Sequence, residues 1–284
     1  MKTANIVILA GQSNAVGVGY THYLSKHFPP EKVEKYNSGY ENVRIHYYSH
    51  NNRSDEFTPV RTGNAVAAVT TFGPEVGMAE AFTEYYPGEE IFIVKCACGC
   101  MSLHRDFRSP SGGAPYDKDA FADQKPDILD AHSHGEEIRA GWCYNELVKI
   151  TRESIEMLEN AGYTPKIRGF CWMQGEADAE DREYVSQYGN LYDCMLHDFT
   201  ETFGGYMERC LFADGAVSQR WAFHRELNAV KAEYAASHEN CVYIDTIGAG
   251  LTTAHEPEGD PDTAHYDADS VIRLGRMFAE TVQW

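Results

Sequence analysis

The chain has 284 residues, 43% of them hydrophobic and 24% charged, with 24 basic against 43 acidic side chains for a net charge of −19 with His neutral. That composition excludes a disordered or collagen-like chain. With no run of four Lys or Arg and no apolar stretch near the ~20 residues of a membrane span, nucleic acid and membranes are poor partners.

In chain order, Met1 to Ala10 has the basic start of a short leader. It lacks the length and cleavage site of one, so it reads as a buried strand, with the cytoplasm as the default compartment. Ile6–Ala10 is the first strong apolar run, and Arg44–Tyr48 is a weaker strand candidate. Pro74 to Tyr85 has helical spacing. Ile91–Val94 is a second strand, followed by Cys96, Cys98 and Cys100 at period two. On a strand those three share one face. C-x-C-x-C is not a usual zinc spacing, so these three read as reduced, buried cysteines acting as small hydrophobes, while the redox state of all eight is not legible in the sequence. Residues 104–141 break the rhythm with Ser109-Pro110-Ser111-Gly112-Gly113-Ala114-Pro115, and a loop this long is expected to border the functional site.

Trp142 to Asn160 predicts a helix stopped by Gly162, and Ile167–Met173 a third strand. Tyr184, Tyr188, Leu191, Met195 and Phe199 form a helical stripe. Tyr206–Ala213 is a weak strand, Ala216 to His238 a helix, Cys241–Ile244 a strand and Ser270 to Val282 a closing helix. Strands alternating with helices predict one doubly wound α/β domain over residues 1–284, with ligands bound beyond the strand C-termini.

Four segments carry candidate chemistry. Gly11-Gln12-Ser13-Asn14 follows the first strand and can present a serine hydroxyl at a tight turn; an N-cap serine or a phosphate loop are the alternatives. Asp262-Thr263-Ala264-His265 can hold an imidazole through one ring nitrogen and leave the other to face a serine. A solvated loop, or a metal site using His255, His265 and neighbouring carboxylates, are the alternatives there, although no ligand spacing supports a metal. Trp172-Met173-Gln174-Gly175-Glu176-Ala177-Asp178 delivers Gln174 at a strand end, where its amide can donate to an oxyanion or serve as a structural amide. Gly99, after the second strand, can offer a backbone N–H or simply turn the chain.

Together with Phe72-Gly73-Pro74-Glu75 and the terminal Leu274-Gly275, these segments resemble the sialate O-acetylesterase-like branch of the SGNH (GDSL-type) hydrolases, which includes carbohydrate esterase family six. The anchors run from residue 6 to about residue 278. The resemblance implies a three-layer α/β/α sandwich with a mostly parallel, flavodoxin-like sheet. It implies metal-independent and cofactor-free removal of O-acetyl groups from a carbohydrate, acetylated xylan or sialic acid being the candidates. Carried over, Ser13 is the nucleophile, His265 the base and then the acid, and Asp262 its orienting carboxylate. The oxyanion hole combines the Ser13 N–H, the Gly99 N–H and the Gln174 side chain, with Gln12, Asn14, Glu176 and Asp178 as bracing residues. Two departures stand out: Ala15 replaces the usual Met, and Gly99-Cys100-Met101-Ser102-Leu103 replaces Gly-Gly-Thr-Ser-Leu. Competing classes are an SGNH lipase or thioesterase, a silent carbohydrate-binding relative, and a flavodoxin-like nucleotide binder. Oligomeric state is not legible in the sequence.

Overall fold

A computed structural model describes residues 2–50, 52–66, 68–113 and 141–284. Among the described residues the strands are β1 (Lys2–Gly11), β2 (Gly19–Tyr20), β3 (Tyr40–Ser49), β4 (Asn52–Arg53), β5 (Thr58–Val60), β6 (Thr71–Phe72), β7 (Ile91–Ala97), β8 (Tyr163–Met173), β9 (Met207–Gly215) and β10 (Cys241–Ile244). The helices are α1 (Ser13–Val16), α2 (Leu24–His27), α3 (Pro30–Ser38), α4 (Pro74–Tyr85), α5 (Trp142–Asn160), α6 (Arg182–Phe203), α7 (His224–Ser237) and α8 (Ala268–Thr281).

The spatial order β7-β1-β8-β9-β10 is an all-parallel core in the 2-1-3-4-5 order of flavodoxin-like sheets. β3 extends it as a further parallel strand beyond β7, and the short β4 and β5 pair antiparallel with β3. The apolar run of β1 is buried on both faces, as a strand covered by two helical layers must be. α4 and α8 pack together on one face, so closely that a Cβ on Gly77 would lie 2.1 Å from the Ile272 carbonyl oxygen. α5, α6 and α7 cover the other face, where Phe170 and Trp172 of β8 meet Phe199 and Tyr192 of α6.

Most predicted elements form, with shifted ends. The weak Arg44–Tyr48 strand is ten residues of β3, buried over Ile45–Ser49 despite its polar residues. The helix expected from Ala216 begins only at His224, because residues 216–223 leave β9 as a loop over the sheet edge. α6 starts one residue after Asp181, whose carboxylate accepts the Glu183 N–H at 2.7 Å. Cys96 and Cys98 are buried as expected, but the strand ends at Ala97, so Cys100 has left the shared face and is exposed. All eight cysteines are free. Of the 104–141 loop only residues 104–113 and 141 lie within the described part. Among the described residues no helix is long and apolar enough to cross a membrane.

His46 of β3 is 1% exposed. Its Nδ1 meets Ser154 Oγ at 2.8 Å and its Nε2 the Ser54 carbonyl at 3.1 Å. Burial holds it neutral, down to a pKa of about 4. An unfolded chain protonates the same ring near 6.5. Its contribution is therefore complete above pH 6.5 and is lost as pH falls towards 4, by about 3 kcal/mol in total. Urea denaturation of the wild type and His46→Phe at pH 7 and pH 4.5 should show the gap between the two narrowing at the lower pH. A constant gap would mean that His46 does not titrate in this way.

Candidate functional site

Register sets the site. Gly11 of β1 pairs with Ala97 of β7 on one side and Met173 of β8 on the other, so three strands end level. Two backbone hydrogen bonds tie these ends together: Gln12 N–H to Met173 O at 2.9 Å and Cys98 N–H to Gly11 O at 3.0 Å. Ser13, Gly99 and Gln174 thus leave adjacent strands at the point where the chain order reverses, the usual ligand crevice of such sheets. The approach is tight. Gly11 has φ +145°, and a Cβ there would lie 1.9 Å from the Met173 carbonyl oxygen.

Ser13 is half-buried and opens the single turn of α1. Among the described residues no protein acceptor takes the N–H of Ser13 or of Gly99. Both follow the ends of adjacent strands, and an oxyanion needs donors left free in this way.

Asp262 and His265 come together as their spacing predicts. Asp262 Oδ1 accepts the Ala264 N–H at 3.1 Å, which folds a turn over its own side chain. Its Oδ2 then meets His265 Nδ1 at 2.5 Å. The rest of the loop is pinned to the start of α8. Asp267 accepts from the Thr252 hydroxyl, from His255 Nδ1 and from the His255 and Glu256 N–H groups, while Glu256 accepts the Ala268 N–H and meets His27 Nε2. The two histidines once grouped as possible metal ligands thus pair with different carboxylates. Among the described residues no cluster of three His, Cys, Asp or Glu side chains is placed for a metal ion.

Asn14 joins the two halves. Its Nδ2 donates to Glu176 Oε1 at 2.7 Å and to Ala264 O at 3.3 Å, and its Oδ1 accepts the Tyr266 N–H at 3.1 Å. The residue after Ser13 is thereby tied to both neighbours of His265. No hydrogen bond joins Ser13 Oγ to His265, a contact that commonly tightens only with substrate bound. Glu176 is fully buried, and burial pushes its carboxyl up.

Gln174 departs from expectation. It is fully buried, and its Nε2 donates to Asp178 Oδ2 at 2.5 Å and to Met101 O at 3.1 Å, while its Oε1 accepts from Tyr188 at 3.0 Å. Both amide protons are turned inward, so the side chain braces the hole rather than lining it. Asp178 also accepts the Leu103 and His104 N–H groups, each at 2.9 Å, anchoring the start of the long loop against the site. Burial lifts its carboxyl to about 6. Gln12 Oε1 accepts the Ala177 N–H at 3.0 Å.

Two buried lysines that sequence reasoning passed over complete the frame. Lys95 donates to Val16 O at 2.8 Å and to Glu75 at 2.7 Å. Lys231 donates to Gln174 O at 2.6 Å, to Asp214 at 2.7 Å and to Gly215 O at 2.8 Å. The signal was present at Lys95: a cation inside the apolar run of β7 requires a buried partner.

The comparisons identify the family and the fold. A family model described as "SASA: Carbohydrate esterase, sialic acid-specific acetylesterase" matches residues 3–283. The chain belongs to this family. It is accordingly a carboxylic ester hydrolase of the carbohydrate acetylesterase type, acting generally by O-deacetylation. Its fold is similar to that of NanS, at 16% identity and TM-score 0.67 over 99% of this chain and 97% of the other. A protein from Arabidopsis thaliana aligns at 19% identity and TM-score 0.64, over 99% and 98%. A carbohydrate acetylesterase from Xanthomonas citri aligns at 13% and 0.60, over 98% of this chain but 55% of that one. The three-layer SGNH-type architecture is thus shared. No curated protein matches the chain.

Two outcomes are expected. Asn14→Ala leaves buried partners unsatisfied, at a cost of about 2–4 kcal/mol, and frees the His265 loop from the Ser13 turn, for about a 100-fold loss in kcat. Asn14→Asp sets a second carboxylate against Glu176, so its deficit should grow as pH rises; equal stability of both variants at all pH values would refute the clamp. Cys100 has φ +63°, in the position where the resembling family carries a second Gly. Cys100→Gly should therefore stabilise the protein by about 0.5–1 kcal/mol in thermal denaturation.

Proposed function

We propose that this esterase removes O-acetyl groups from a carbohydrate through an acetyl-enzyme on Ser13, with acetylated xylan-type glycans and O-acetyl sialic acid as the substrates to test. The observation that carries the reading is the Asp262–His265 pair, at 2.5 Å, held beside the Ser13 turn by Asn14.

In the proposed reaction His265 Nε2 accepts the Ser13 hydroxyl proton as Oγ attacks the acetyl carbonyl carbon. Asp262 keeps the remaining proton on Nδ1 and favours the imidazolium that forms. The negative charge on the carbonyl oxygen is met by the Ser13 and Gly99 N–H groups. Collapse breaks the ester bond, and His265 returns its proton to the departing sugar hydroxyl. Water, deprotonated by the same imidazole, then attacks the acetyl-serine; collapse breaks the bond to Ser13 Oγ, which takes the proton back from His265, and acetate is released. Gln174 acts through Met101 and Asp178, holding the segment after Gly99 in place.

Ser13→Ala should abolish release of acetate from aryl acetates and acetylated glycans, with an unchanged melting temperature. Retention of most aryl acetate turnover would remove Ser13 from its role. Faster hydrolysis of octanoyl than acetyl esters would favour a lipase instead.

A further inference from the structure

Gly99, the proposed second oxyanion donor, is flanked by two residues in the left-handed backbone region, Cys100 at φ +63° and His50 at φ +45°. Residues other than glycine adopt this conformation rarely, and it gathers at functional sites. Cys100 follows Gly99 in the chain. His50 arrives from another strand. It leaves the end of β3, and its N–H donates to Ala97 O at 2.9 Å, which sets it beside the chain leading from β7 into Gly99.

The His50 ring lies against Gly99. A Cβ built on Gly99 would stand 3.1 Å from His50 Nδ1 and 3.3 Å from Cε1, tighter than an ordinary contact. The ring is half-buried, and burial lowers its pKa, so it is uncharged at pH 7. Among the described residues it makes no hydrogen bond. It therefore presents a neutral surface next to the hole and is not committed to any polar partner in the protein.

The geometry of an ester decides which part of a substrate meets that surface. The carbonyl carbon carries three groups in one plane: its oxygen, the alcohol and the acyl chain. The oxygen is held by the Ser13 and Gly99 N–H groups. The alcohol oxygen lies towards His265, which returns a proton to it. The His265 loop sits on the β8–β10 side of β1, because Tyr266 next to His265 bonds Ala216 O after β9 and Thr246 after β10. β3 lies on the opposite side, beyond β7. The acyl chain takes the remaining direction, away from His265 and towards His50.

We propose that His50 is the end wall of the acyl pocket, a specificity-determining residue that admits the methyl group of an acetyl ester and blocks longer chains; this rests on the Ser13 reading. An oxyanion bonded to the Gly99 N–H lies about 3 Å from that nitrogen, and the ring covers the α-carbon of the same residue. A methyl group fits between them, and each further methylene meets the imidazole.

The test is kcat/KM for p-nitrophenyl acetate, propionate and butyrate. In the wild type it should fall about tenfold for each added methylene. His50→Gly removes the ring and suits the left-handed backbone, so it should raise butyrate relative to acetate by at least about tenfold. His50→Asn, shorter than His and tolerant of the same backbone, should fall between the two, and it decides if His50→Gly does not fold. A merely structural role would lower all three esters alike and leave their ratios fixed. Unchanged ratios in the variants, or a wild type that hydrolyses butyrate as fast as acetate, would overturn the proposal. Competitive inhibition by free acetate and butyrate reads the wall without a covalent step. Butyrate should gain about tenfold on acetate in His50→Gly, and no gain would count against the wall. Turnover surviving in Ser13→Ala would instead remove the nucleophile, with the inhibition ratios still deciding on His50.

Discussion

One side-chain amide holds together segments that are far apart in the chain. Asn14 spans 162 positions to Glu176 and 250 to Ala264. An amide suits this task because it donates twice and accepts through the same planar group. A carboxylate could not donate to Glu176, and a hydroxyl could not reach three partners. The proposed nucleophile turn, the end of β8 and the His265 loop therefore share one junction. Its geometry is set by buried hydrogen bonds, which are costly to leave unmade.

Beneath that junction lies the register of the sheet. Because β1, β7 and β8 end in one row, each contributes the residue that follows it to the same crevice. A parallel sheet does this only at a reversal of strand order, and β1 sits at that reversal. The braces then work from below. Gln174 is turned inward towards Met101 and Asp178, and Asp178 in turn grips the backbone at Leu103 and His104. The segment carrying Gly99 is thus held at both of its ends.

The strands were legible where apolar runs are continuous, as in Ile6–Ala10 and Ile167–Met173, because double-sided burial leaves little room for polar residues. β3 was harder to read: His46 and Ser49 are polar yet buried, and Ser154, which meets His46 Nδ1, stands 108 positions away. The Asp262–His265 pair was legible because the turn that forms it is local. The orientation of Gln174 was not, because it depends on Tyr188, Asp178 and Met101, contributed by three separate segments. The start of α7 was less legible, since Trp221 stands upstream of Leu227, Val230 and Tyr234 as if on one helix while itself lying in a loop.

The two buried lysines bear on how the site comes apart. Each holds a backbone carbonyl of a turn at the site, Val16 for one and Gln174 for the other, and each is neutralised by a carboxylate deep in the core. Opening either turn alone would strand an ammonium group away from water. The hydrogen-bonded amide protons of these turns, such as those of Val16 and Gly17, should therefore exchange with solvent only when the central sheet itself opens, so that the frame of the crevice, though not its unbonded Ser13 and Gly99 N–H groups, belongs to the slowest-exchanging part of the molecule rather than to its fluctuating rim.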